Sequence, residues 1–197
     1  MIMENIKFKT LCSIVFILST FISLSGQERK LTINGFYINP KLGIYNWVED
    51  DAGFIGGVEM NVLKDKFLYS ADFYRYEELV IFSPTPAEYY NQIGIMMGKF
   101  VGDKLFRFQY QGGIAPIWGI KRTKLVKEGS GILATDYYEN KDFFTIGLVT
   151  KLGFKIIPTR FLSIGIDLQA NINLENPVYM PMISIEIGKL RNKINEP

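Results

Sequence analysis

From Phe161 to Leu174 the chain alternates between apolar and polar residues. Leu162, Ile164, Ile166, Leu168, Ala170, Ile172 and Leu174 fall on one side; Ser163, Gly165, Asp167, Gln169, Asn171 and Asn173 fall on the other. A period of two sends successive side chains to opposite faces of a β-strand. The segment before it repeats the pattern, with Phe144, Ile146, Leu148, Leu152, Phe154 and Ile156 opposed to Thr145, Gly147, Lys151, Gly153 and Lys155. Between them Ile157-Pro158-Thr159-Arg160 reads as a tight turn, with proline presetting φ. The same reading yields strands at about 35–47, 52–63, 67–77, 88–100, 105–121, 142–156, 161–174 and 179–190. Gly112-Gly113 inside the fifth predicts a bend or bulge.

Connection lengths also alternate. Lys64-Asp65-Lys66, Val101-Gly102-Asp103-Lys104 and Ile157-Pro158-Thr159-Arg160 are short; the others are longer, and Arg122 to Lys141 is the longest. In an up-and-down barrel every second connection lies at the same end. The short turns and both termini therefore mark one end, and the loops mark the other. The predicted fold is all-β, an eight-stranded antiparallel up-and-down barrel.

Alternation does not say which face points inward. A soluble, lipocalin-like barrel holds its apolar face inside around an apolar ligand; a transmembrane barrel turns it outward to lipid. Three features favour the second. The aromatic residues of the apolar face sort toward the strand ends: Phe54, Tyr89, Trp118, Phe144 and Tyr179 near the loops, Phe36, Phe67, Phe106 and Phe154 near the turns. The middle is mainly aliphatic, as at Leu42, Val58, Ile93, Ile95, Ile114, Leu148, Ile166 and Ile185. Aromatic girdles around an aliphatic belt match the two interfaces of a bilayer. The polar face is rich in Gly, Ser, Asn and Gln and carries few charges for a solvated surface.

The third feature is the N-terminus. Residues 1–26 combine Lys7 and Lys9, a 14-residue apolar run from Leu11 to Leu24, and small residues at Ser23-Leu24-Ser25-Gly26. That is the layout of a cleaved signal peptide, and the run is short for a membrane-spanning helix. It leaves 27–197 as one exported domain with a short polar tail. Within it no stretch approaches the length of a membrane-spanning helix.

On these segments, Phe161-Leu-Ser-Ile-Gly-Ile-Asp-Leu-Gln-Ala-Asn and Ile183-Ser-Ile-Glu-Ile-Gly-Lys-Leu above all, residues 35–190 resemble the small eight-stranded outer-membrane barrels of the OmpA-transmembrane-domain and OmpX kind. The resemblance implies an integral protein in the outer membrane of a two-membrane bacterium, in contact with lipid and lipopolysaccharide. Such barrels often end on an aromatic residue; this chain ends Lys189-Leu-Arg-Asn-Lys-Ile-Asn-Glu-Pro197.

Inward-facing charges should pair, because an isolated charge in a narrow lumen is costly. The candidates are Lys41, Glu59, Asp72, Arg107, Lys151, Asp167 and Glu186, with Lys121 and Lys155 on the same face. Counting back from the turns puts Lys151 about opposite Asp167 and Glu59 beside Asp72, with Lys41 as their cation and near Glu186 on barrel closure. Such a network either plugs the lumen or gates a narrow pore.

Composition narrows the chemistry. The 197 residues carry 22 Lys and Arg against 20 Asp and Glu, which gives no electrostatic case for nucleic acid. There is no histidine, so Ser-His-Asp, Cys-His and His-ligated zinc chemistry are excluded. The single cysteine, Cys12, lies in the leader. The Glu59–Asp72 carboxylate pair is the remaining acid–base candidate, and a structural role suits it better. The expectation is a non-enzyme with no metal and no cofactor. Segments 78–87 and 122–141, with Tyr76, Phe82, Pro84, Pro86, Tyr137 and Tyr138 in or beside them, are the candidate surface for a ligand or adhesion.

Overall fold

A computed structural model describes residues 33–47, 52–78, 86–102, 105–128, 136–175 and 177–190. The expected leader, Phe82, Pro84 and the polar tail beyond Leu190 lie outside the described residues. Eight strands follow one another: β1 (Gly35–Trp47), β2 (Ala52–Lys64), β3 (Phe67–Glu78), β4 (Tyr89–Gly102), β5 (Phe106–Lys127), β6 (Tyr137–Ile156), β7 (Leu162–Ile172) and β8 (Val178–Lys189). Each pairs antiparallel with its neighbours in sequence, and β1 pairs with β8 to close the barrel. The β2–β3 turn is tight, with Asp65 at φ 55°, a left-handed conformation that aspartate tolerates.

The faces resolve in one direction. Leu42, Ile95, Ile114, Leu148 and Ile183 are among the most exposed large side chains, while Lys41, Glu59, Lys151, Lys155, Asp167 and Glu186 are buried. The chain is apolar outside and charged inside, the reverse of a lipocalin-like barrel. All nine aromatics assigned to the strand ends stand on the outward face, with Tyr89 and Trp118 half-buried there and the rest exposed. Phe106 and Phe154 stack with centroids 6.0 Å apart.

Two differences from the sequence reading matter, and one further feature of the ladders. The segment expected as one long loop is largely strand: β5 and β6 continue as a ribbon in which Arg122 pairs with Asn140, Leu125 with Tyr138 and Lys127 with Tyr137. Its irregularities fall between Arg122 and Leu125 and between Leu125 and Lys127. The expected bulge at Gly112-Gly113 is absent, and both ladders run through these residues in register. Glycine serves close approach there, since a Cβ on Gly113 would collide with the Ile95 carbonyl. Finally, the β1–β8 ladder is broken into three runs by Pro40 and Pro181, which have no N–H to give.

A buried ion-pair chain between two apolar plugs

Eight strands leave a lumen just wide enough for side chains, and this one is stratified along its axis. At the turn end Tyr37, Leu63, Leu68, Ile157 and Leu190 pack together. At the loop end Tyr45, Tyr74, Tyr76, Tyr90, Ile117 and Met180 form a second cluster, with Tyr45 and Tyr76 edge to face at 5.4 Å. Charges and amides fill the middle.

The central feature is a chain of alternating charge. Lys151 Nζ lies 2.5 Å from Glu59 Oε2, Lys41 Nζ bridges Glu59 Oε2 and Asp167 Oδ2 at 2.8 Å each, and Lys155 Nζ lies 2.7 Å from Asp167 Oδ1. Four strands contribute: β1, β2, β6 and β7. Arg107 on β5 pairs separately with Glu186 on β8 and also faces the Tyr37 ring. Asp72 has no cation within ion-pair distance among the described residues; its carboxylate accepts from Gln169 Nε2 at 3.5 Å. Four buried cations thus face four buried anions within the middle of the barrel. Pairing of this kind offsets part of the cost of taking the charges out of water. Amides complete the filling: Tyr76 and Asn171 both donate to Gln92 Oε1, at 2.7 and 2.8 Å, and Ser70 bridges Asn61 and Gln111.

Some expected pairs hold and others do not. Glu59 and Asp72 are register partners, and Lys41 reaches Glu59. Lys151 does not face Asp167; its register partner is Gln169 and its ion partner is Glu59, across the lumen. The register pair nearest the β6–β7 turn is Ile156 with Ile164, so seven residues separate the paired positions rather than the four counted from sequence, and Lys151 meets Gln169, two positions beyond Asp167. Nor does Lys41 pair with Glu186, because Arg107 takes that carboxylate. Lys155, expected on the inward face with Lys151 but given no partner there, pairs with Asp167. The lumen tyrosines were missed too. Tyr76, assigned to the surface loop, is fully buried.

Lys121 lies at the mouth rather than in the lumen, donating to Glu175 in the β7–β8 connection. That hydrogen bond, with the lysine charge, holds the Glu175 carboxyl below its ordinary range. A lowered folded-state value means the tie is present at neutral pH and is lost as pH falls through it. In Lys121→Ala the NMR titration midpoint of Glu175 is expected to return upward. Beside it Arg122 clasps Glu78 with two nitrogens, at 2.6 and 2.8 Å, and its backbone N–H donates to Glu88. Glu88 also accepts from the Tyr90 hydroxyl, and its own N–H donates to Glu78 Oε2 at 3.0 Å. The clasp seals the upper plug. Arg122→Ala is expected to cost about 1–3 kcal/mol, with faster hydrogen exchange at Glu88 to Asn91 as the local readout.

Among the described residues no three His, Cys, Asp or Glu side chains converge as a metal site. No family model and no curated protein matches the sequence. Solved structures do match in fold. Neisserial surface protein A (NspA) superposes with a TM-score of 0.60 at 10% identity, over 77% of this chain and 96% of that one. The N-terminal β-barrel domain of Pseudomonas aeruginosa OprF gives 0.57 at 13%, over 79% and 98%. Ail, the attachment invasion locus protein of Yersinia pestis, in complex with the heparin analogue sucrose octasulfate, gives 0.55 at 8%, over 80% and 99%. At such identities the likeness is one of architecture, and the chain has the fold of the small eight-stranded outer-membrane barrels.

Proposed function

We propose that the chain is an integral outer-membrane barrel acting as a rigid stand, whose β5–β6 ribbon and neighbouring loops meet ligands outside the cell. One observation carries this reading: a continuous apolar exterior encloses a charge-neutral, side-chain-filled interior. In water that exterior would drive aggregation; in lipid it is the solvent-facing surface. Longer connections on such barrels face outward from the cell and short turns face the periplasm. The ribbon then projects with Leu125, Val126 and Tyr137 exposed, beside Lys124, Lys127 and Glu139. Ail, seen with a heparin analogue, supports reading such a barrel as a stand for ligand contact. Lipid and lipopolysaccharide are the proposed surroundings, and the role is non-enzymatic.

The test is expression of the full chain in a two-membrane bacterium, followed by electrophoresis of the outer-membrane fraction with and without boiling in SDS. A heat-dependent change in migration is expected. Soluble protein without that change would overturn the reading. In planar bilayers the folded barrel is expected to stay at baseline conductance, because apolar clusters close the lumen on both sides of the ion-pair chain; discrete openings would favour the narrow gated pore instead.

A further inference from the structure

The outward belt is not uniformly bulky. Over β2 to β5 it sinks into an apolar depression of about 540 Å³. Its floor is made by the two small residues Ala71 and Gly112, and its walls by Met60, Ile95, Met97 and Ile114. The register explains the shape. One row runs Met60, Ala71, Ile95, Ile114, and the next toward the turn end runs Val62, Tyr69, Met97, Gly112. Each row thus contains one small residue, Ala71 on β3 and Gly112 on β5, on either side of Ile95 and Met97 of β4. A cavity of this size is in the range that accommodates a small-molecule ligand, and two flexible methionines in its wall can adapt to a chain of variable shape.

Charge marks one end of the depression. The row below it reads Lys64, Phe67, Lys99. All three stand on the outward face, and the Lys99 ammonium lies 5.1 Å from the Phe67 ring centre. Neither lysine pairs with a carboxylate among the described residues. Lys64 and Lys99 are two strand spacings apart, about 10 Å, so an anion above Phe67 is within reach of both ammonium groups. Continued around the barrel, this row becomes Tyr110, Leu152 and Leu168, with no charge. The cationic pair therefore sits under the depression and not elsewhere along that row.

We propose that this surface is a binding site for one anionic, phosphate-bearing diacyl lipid of the periplasm-facing leaflet. Its acyl chains lie over Ala71 and Gly112, and its phosphate lies between Lys64 and Lys99. The proposal rests on the membrane reading above and adds a particular lipid site to it. Basic side chains at a membrane surface attract anionic headgroups, and their long stems let the charge reach the interface.

The experiment uses the full-length barrel reconstituted in vesicles of equal phosphatidylglycerol and phosphatidylcholine, extracted in mild detergent and weighed by native mass spectrometry. A one-to-one lipid adduct enriched in phosphatidylglycerol is expected. Lys64→Ser with Lys99→Ser should cut the enrichment about fivefold for each lysine while sparing the phosphatidylcholine adduct. Ala71→Leu with Gly112→Leu should abolish both adducts. Gly112 has room for the change, the nearest atom to a new Cβ being the Val149 carbonyl oxygen at 3.9 Å. An adduct indifferent to both pairs of substitutions, or none at all in a barrel that inserts and shows the heat-dependent shift, overturns the site alone. A two-barrel species dissolved by the leucine pair would assign the depression to a second copy and also overturn it. Failure to enter vesicles overturns the membrane reading together with the site.

Discussion

Glu59→Leu is expected to destabilise the barrel by about 3–5 kcal/mol, the cost of removing one partner from a buried ion pair. Glu59 holds two ammonium groups at once, Lys41 and Lys151, and all three side chains are fully buried. Without it, among the described residues Lys151 has no carboxylate within ion-pair distance, and Lys41 keeps only Asp167. Lys151→Ala is expected to cost less, because Glu59 retains Lys41. Removing both members, as Glu59→Leu with Lys151→Met, should recover part of the loss, since an apolar replacement of a complete pair is often near neutral. Urea unfolding in lipid vesicles, followed by the gel shift, ranks the three variants. If Glu59→Leu matched the native chain within about 0.5 kcal/mol, the ion-pair chain would not be a source of stability.

The second large effect concerns the outside. Leu148 stands 63% exposed, between Phe144 near the loops and Phe154 near the turns. Leu148→Arg would be close to neutral on a solvated surface. At the middle of a bilayer it is expected to cost about 2–4 kcal/mol. Leu125→Arg is the control, since Leu125 is also exposed but belongs to the projecting ribbon, and it should stay within about 0.5 kcal/mol. Vesicle refolding yields and unfolding midpoints of the two variants read the difference directly. Equal, small effects at both positions would mean that no lipid surrounds the belt.

The strands were legible because each has one face in a single environment for its whole length, and period two is the mark of that. Where the environment changes, the signal fades. Beyond Arg122 the β5–β6 ribbon is exposed on both faces, so Thr123 to Lys127 and Tyr137 to Lys141 show no alternation of polarity and read as loop. The inward charges were legible as a set, because parity alone selects them. Their partners were not, because a turn count gives only the adjacent strand, whereas Lys151 on β6 reaches Glu59 on β2 across the lumen. The tyrosines carried a usable signal that went unread. Tyr37 and Tyr45 share the parity of Lys41, and Tyr74 and Tyr76 share that of Asp72, so their rings belong to the inward face. A tyrosine there supplies bulk to block the passage and a hydroxyl to satisfy its neighbours.

The broken ladder between β1 and β8 has a consequence for how the molecule comes to exist. Until the first and last strands meet, the sheet has two bare margins, and a bare margin is a template for any other extended chain. Pro40 stands on one margin and Pro181 on the other. Each interrupts the run of donors that a stray strand would need, while the correct partner is still recognised by three short matching stretches. The last join of the cylinder is thereby its least sticky line. A sheet still open along that line offers a second extended chain no long run of donors to zip onto.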